Sequence, residues 1–254
     1  MTPPESGHCR TLRPGSAAST SYDRLVSRLE AVIFDFDGVV LDSETPEYES
    51  HRRVYERCGV ELTVSEWCGA IGLWTEGHAD RRFETLCARS TLAPARDAYH
   101  DECRRIFAEL VPREPMRGIR ELLTALQAAG IPTAIASTAP TRWVVSSAGR
   151  IGVDELFGAI VTREEVARGK PAPDVYLEAA RRLGVDPALA IAIEDSGPGI
   201  TAARAAGMTT IAIPHWLTAT HDLSGADLRV SHAGELSIDR LRQLLDSAAR
   251  RLTR

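Results

Sequence analysis

Asp35 and Asp37 are the first residues in the chain whose types and spacing could do chemistry: in the stretch AVIFDFDGVVLD (residues 31–42) an apolar run ends in two carboxylates followed by Gly38. Val32, Ile33 and Phe34 suit a central strand buried on both faces, which places Asp35 at its carboxyl edge, where open α/β sheets bind ligands. Carboxylates two apart on a strand point the same way. At about 7 Å and an effective dielectric near 20 they repel by roughly 2 kcal/mol, which a metal or a retained proton relieves. An ordinary strand followed by an Asp-Gly turn fits these residues as well.

Three further segments decide between those readings. Thr133–Ala136 runs into Ser137 and Thr138, putting hydroxyl donors at a second strand end, where helix capping is the competing use. Ala190–Ile193 runs into Glu194 and Asp195, and capping does not account for two adjacent acids. Four carboxylates at one sheet edge require a cation, and an oxygen-only set suits a hard ion, so Mg²⁺ is the expected cofactor. The third segment is GKPAPD around Lys170, the one lysine among 30 Lys and Arg residues. A compact ammonium beside acidic strand ends, held by a proline-bounded turn, favours a phosphate ligand.

These residues need a scaffold. Past about residue 115 the pattern alternates: helix 118–129, strand 132–137, helix 141–149, strand 159–162, helix 173–183 and strand 190–194. Helix 198–206, strand 209–213, a short strand near 228–231 and helix 237–250 complete it. Such alternation predicts an α/β fold, a Rossmann-like core with a parallel sheet and helices on both faces. Residues 43–113 carry helical periodicity with almost no strand-like runs, which predicts an inserted all-helical domain. The domains expected are therefore a flexible tail (1–28) rich in Pro, Ser, Thr and Gly, a core (29–42 and 114–254) and a helical cap (43–113).

Composition narrows the class. The 254 residues include 44% hydrophobic residues and carry a net charge of -5. There is no membrane-length apolar run and no signal-peptide core, so a cytoplasmic protein is expected. The arginine pairs lie among acids without a basic stripe, which argues against nucleic-acid binding. Five cysteines without a C-x-x-C pair read as reduced. Gly197-Pro198-Gly199-Ile200-Thr201-Ala202 formally fits a dinucleotide-binding turn, but the following strand ends Ile213-Pro214-His215, without the acid that would hold a ribose. A dinucleotide-dependent oxidoreductase and a non-catalytic metabolite-binding protein are the alternatives from other classes.

In their order along the chain, DFDGVV, the strand ending in Ser137, GKPAPDVY and IAIEDSGPGI resemble the haloacid dehalogenase superfamily, and the helical insertion resembles the cap of its β-phosphoglucomutase-like subgroup. The resemblance spans residues 31 to about 248. It implies a phosphomonoester hydrolase in which Asp35 is the nucleophile, Asp37 the acid/base, and Ser137 and Lys170 phosphate-holding groups. It implies Mg²⁺ on Asp35, the Asp37 carbonyl and Asp195, with Glu194 assisting directly or through water. Asp37 separates this pattern from the dehalogenases, and the lysine-free cap from the phosphonatases. Glu47 and the stretch 71–76 depart from the histidine and arginine of β-phosphoglucomutases, so a phosphosugar mutase is the alternative within the family.

The expected substrate is a small phosphorylated metabolite, a sugar or polyol phosphate, with a monomer or homodimer as the working assembly. Gly38 and Gly197 are expected to let the backbone approach the ligands, with Gly38 and Thr138 counted among the substrate-binding residues. In the cap, Glu47, Trp74 and Glu76, and after them His78, Arg81 and Arg82, are candidates for reading the leaving group. The cap is expected to open and close over the site.

Overall fold

Alternate residues of strand β1 (Ala31–Phe34) enter different apolar clusters: Val32 and Phe34 pack on one face of a sheet, Ala31 and Ile33 on the other. This is the two-residue period of a strand covered on both sides. The computed structural model describes residues 29–69, 71 and 78–252. The expected tail, and Trp74 and Glu76 of the cap, lie outside the described residues.

After β1 come α1 (Glu44–Arg57), α2 (Val64–Cys68), α3 (His78–Arg89) and α4 (Arg96–Leu110). The alternating part follows: α5 (Ile119–Ala128), β2 (Thr133–Ala136), α6 (Thr141–Arg150), β3 (Ala159–Val161), α7 (Asp174–Leu183) and β4 (Ala190–Glu194). It ends with α8 (Gly197–Ala205), β5 (Thr209–Ala212), β6 (Leu228–Arg229) and α9 (Ile238–Leu252). These six strands form one parallel sheet in the order β3-β2-β1-β4-β5-β6. The chain winds outward from β1 through β2 to β3, then crosses to β4 on the other side of β1. The carboxyl end of β1 is thereby a switch point, the place in such sheets where a crevice opens.

The two faces differ in side-chain size, and the difference positions the site. Val32, Phe34, Ile135, Ile191, Ile193 and Ile211 face α5, α6 and α9. On the opposite face Ala31, Ala134, Ala136, Ala190 and Ala192 pack with Val175, Tyr176 and Ala179 of α7 and with Ala202 and Ala203 of α8. Small side chains let α7 and α8 approach the sheet closely, so that Tyr176 reaches the end of β4.

The helices between β1 and α5 have an apolar core of their own, with Tyr48, Tyr55, Trp67, Leu86, Tyr99 and Ile106 among its buried residues. Helix α2 starts at a reciprocal cap: Thr63 Oγ1 accepts from Glu66 N (3.2 Å) and Glu66 Oε2 from Thr63 N (2.9 Å). One member of this core lies far away in sequence. Leu217, beyond β5, is fully buried in it, and its carbonyl accepts from Cys68 Sγ at 2.6 Å. Trp216 stacks edge-on against Tyr48 at 5.8 Å. The core of these helices is thus completed by a segment that follows strand β5 of the sheet.

Candidate active site

Asp35, Ser137, Lys170, Glu194 and Asp195, all at or beyond strand ends, are buried. Lys170 Nζ lies 2.6 Å from Asp35 Oδ1 and 2.6 Å from Glu194 Oε1. Its ammonium also stands 5.2 Å from the centre of the Tyr176 ring, and the Tyr176 hydroxyl donates to Glu194 Oε1 at 2.7 Å. Glu194 Oε2 accepts from Asp195 N (3.1 Å), Ser196 N (3.3 Å) and Ser196 Oγ (3.1 Å). Both Glu194 oxygens are therefore engaged by the protein. A fully buried carboxyl group with this many donors is held in one place and orients Lys170.

Backbone shape brings the acids together. Gly38 has φ +81°, and a Cβ there would sit 2.6 Å from Asp195 Oδ2, so the turn after Asp37 passes directly over the Asp195 carboxylate. Gly199, in the first turn of α8, lies against Glu194 so closely that a Cβ would overlap the carboxylate. Gly197, two residues earlier, faces the loop at Asp222, whose carbonyl a Cβ would meet at 3.1 Å. The sequence shows GPG before a helix but not which glycine meets the acid.

Asp37 is held by one oxygen. Its Oδ1 accepts from Ser43 Oγ at 2.5 Å and from Trp143 Nε1 at 2.8 Å. Ser137 Oγ accepts from Ala139 N at 3.0 Å, and Ser137 N donates to Val161 O at 3.0 Å. The residue before α6 is Pro140, with no side-chain cap, so Ser137 is a strand-end residue rather than a helix cap. Thr138 follows it, half-buried, in the same loop.

The electrostatics are those of a crowded acid cluster. Burial, with help from Glu194 and Asp37 and against the pull of Lys170, pushes Asp35 up to about 7. Burial also raises Asp37, opposed by the hydrogen bonds from Ser43 and Trp143. Asp195 is raised well above the carboxylate range by burial and by the charges of Glu194, Asp35 and Glu44. Lys170 is shifted upward by Asp35 and Glu194 in spite of the opposing effect of burial, which is the largest single influence on it. Glu44, which the sequence did not single out, is pushed up to about 8 by burial and by Asp37, Glu47, Asp35 and Asp42.

Asp35, Glu194 and Asp195 each offer an oxygen, and these oxygens lie within 4.8 Å of one another. Hard oxygen donors, excess negative charge and carboxyls driven toward protonation all fit a divalent hard cation such as Mg²⁺.

The cap candidates separate. Glu47, on the first turn of α1, is half-exposed, with His51 Nε2 at 3.4 Å. Together with Phe107 and Trp143 it lines a cavity of about 480 Å³ between α1, α4 and α6. The Arg82 guanidinium lies over the Trp67 ring at 3.4 Å, and Arg81 is exposed. Ser43, Glu44, Trp143, Tyr176 and Gly199 were missed by the sequence reading. Tyr176 and Gly199 lie inside recognised motifs and Ser43 next to one, whereas Trp143 is 106 residues from the aspartate it touches and has no local signal.

The start of α8 is filled by the protein itself. Ser196 Oγ accepts from Gly199 N at 3.2 Å, and Gly197 N donates to His221 Nδ1 at 3.3 Å. No helix among the described residues is long and apolar enough to cross a membrane.

Residues 32–213 match the family model described as haloacid dehalogenase-like hydrolase. A phosphorylated carbohydrates phosphatase of Thermotoga maritima is 33% identical over 72% of this chain and 84% of its own length. A β-phosphoglucomutase of Bacillus subtilis is 29% identical over 85% of this chain and 95% of its own length. A hydrolase of the same family from Deinococcus radiodurans, solved with bound phosphate and sodium, superposes with a TM-score of 0.65 at 31% identity, covering 88% of this chain and 97% of that one. With acids and one ammonium gathered at the switch point of a parallel sheet, and with these relatives, the chain belongs to the haloacid dehalogenase-like hydrolases, as a phosphomonoester hydrolase.

Proposed function

We propose that the protein is a Mg²⁺-dependent phosphatase of a small phosphorylated metabolite, a sugar or polyol phosphate, working through an aspartyl-phosphate on Asp35 beneath a helical cap formed by residues 43–113. The single observation that carries this reading is the buried arrangement of Lys170 between Asp35 and Glu194, with Asp195 alongside. It pairs a candidate nucleophile with a fixed cation and a metal-competent carboxylate.

Asp35, the Asp37 carbonyl and Asp195 would hold Mg²⁺, with Glu194 acting from behind on Lys170 or through water. When bound, the ion would neutralise the acids and the charge of the phosphate. An Asp35 carboxylate oxygen attacks phosphorus as the bond to the leaving oxygen breaks, and Asp37 donates a proton to that oxygen. Water then attacks the same phosphorus, Asp37 takes its proton, and the Asp35–phosphorus bond breaks to release phosphate and restore the carboxylate. Lys170, Ser137 and Thr138 hold phosphoryl oxygens through both displacements.

Relatives named for phosphorylated carbohydrates support a hydroxylated substrate. Glu47, on the cavity that Trp143 also lines, supports a monophosphate, because its carboxylate repels a second phosphate there. The four described cysteines are all free, which supports a cytoplasmic setting.

The test is a phosphate-release screen over sugar phosphates, polyol phosphates and nucleotides, with magnesium and with chelator. Release that needs magnesium, favours a sugar or polyol phosphate and is lost in Asp35→Asn is the expected result. An unchanged rate in Asp35→Asn overturns the nucleophile, and unchanged release in chelator overturns the metal.

A further inference from the structure

Asp37 Oδ1 accepts two hydrogen bonds and does so from groups of different character. The Ser43 hydroxyl rotates and can donate or accept, so on its own it would allow the Asp37 proton to sit on Oδ1. The indole N–H of Trp143 is a donor only. An oxygen that receives it, at 2.8 Å, stays an acceptor in both protonation states of the carboxyl.

Trp143 is itself held in place. It lies in the first turn of α6, just past the Ser137 loop. The Phe107 ring of α4 packs edge-on against it at 5.3 Å and the Arg150 guanidinium lies 5.8 Å from the ring centre. Phe107 belongs to the cap helices and Arg150 to the last turn of α6, so the indole is clamped from both domains at the edge of the 480 Å³ cavity. One ring and one guanidinium flank the indole and set the direction of its N–H.

We propose that Trp143 is the positioning residue of the acid/base step: its N–H fixes Asp37 Oδ1 as the acceptor oxygen and reserves Oδ2 to carry the proton exchanged with the leaving group and with water. The inference rests on the acid/base role of Asp37 given above. It assigns a function to a core residue outside the four motifs, and it explains why an aromatic with a polar edge stands there. Phenylalanine would fill the same clamp without fixing the carboxyl, since the packing needs the ring and the orientation needs the N–H.

The experiment compares two leaving groups of nearly the same shape, phenol and p-nitrophenol, of which only the first depends strongly on a proton from the enzyme. Values of kcat/KM for phenyl phosphate and p-nitrophenyl phosphate are measured for the wild type, Trp143→Phe and Asp37→Asn. Trp143→Phe is expected to lose about tenfold more on phenyl phosphate than on p-nitrophenyl phosphate, and Asp37→Asn to show the same bias more strongly. Equal losses on both esters in Trp143→Phe, or no loss, beside a biased Asp37→Asn, overturn the role of Trp143 and leave Asp37 as the acid. An unbiased Asp37→Asn removes the acid itself and this inference with it. If Trp143→Phe does not fold, replacement of Trp143 by benzothienylalanine, in which sulfur stands in place of the N–H, gives the same comparison with the ring volume kept. A bias there supports the inference and its absence overturns it.

Discussion

Lys170 Nζ stands 2.6 Å from Asp35 Oδ1 in a buried ion pair whose partners are 135 residues apart in the chain. The same ammonium meets Glu194 at 2.6 Å, so one cation serves the candidate nucleophile on one side and a structural carboxylate on the other. A guanidinium is wider and cannot take that position without moving one of the acids. Lys170→Arg is expected to fold and to lose at least about 100-fold in phosphate release. Lys170→Met should in addition lose about 3–5 kcal/mol of stability, because it leaves buried carboxylates unpaired. Urea unfolding alongside phosphate release checks both. Activity near wild type in Lys170→Arg would show that charge alone suffices.

Gly199 carries a different load from its neighbour Gly197. A methyl group at 199 collides with the Glu194 carboxylate, which has no free volume to move into because it is bonded by Tyr176, Ser196 and Lys170. Gly199→Ala is therefore expected to cost about 2 kcal/mol or more, and to weaken magnesium-dependent activity at the same time. Gly197→Ala, which meets only a loop carbonyl at 3.1 Å, should cost less. Thermal unfolding of the two variants decides the order.

The acid cluster sets a pH dependence whose sign can be worked out. Asp35 rises from 3.8 to about 7 and Glu44 from 4.5 to about 8 on folding. Between those limits the folded protein binds more protons than the unfolded chain. The contribution of these groups is therefore fully present below about pH 4 and is lost as pH rises toward 8. In chelator, stability should fall by up to about 6 kcal/mol between about pH 5 and about pH 8. Magnesium binds the deprotonated carboxylates, so the stabilisation it gives should grow over the same interval. Calorimetry at the two pH values, with and without magnesium, measures this. A magnesium effect that shrinks with rising pH would contradict it.

Leu217 ties the segment after β5 into the core of the cap helices, where it is fully buried. Leu217→Ala should cost about 2–4 kcal/mol by opening a cavity there. Cleavage by protease should become faster within residues 43–113, where the cap helices lose their anchor, while the sheet remains protected. Limited proteolysis with identification of the first cut distinguishes this from global destabilisation, which would expose the sheet to the same degree.

Local periodicity carried most of the architecture. The apolar runs of β1, β2, β4 and β5, the helical spacing between them, the acids after β1 and β4, and the isolation of Lys170 among arginines could all be read in the sequence. Strand period and helix period are properties of neighbouring residues. The two-sided burial of β1 followed as well, since Ala31–Phe34 holds no polar residue to face solvent. What only the tertiary structure decided was which distant groups meet. Trp143 and Ser43 converge on one Asp37 oxygen, Glu44 joins the acid cluster, Gly199 rather than Gly197 faces Glu194, and Leu217 completes a core in the other domain. The long-range contacts, Trp143 to Asp37, Lys170 to Asp35 and Cys68 to Leu217, span more than 100 residues, depend on strand order and leave no trace in local spacing; the short-range ones depend on turn geometry that residue types alone do not fix.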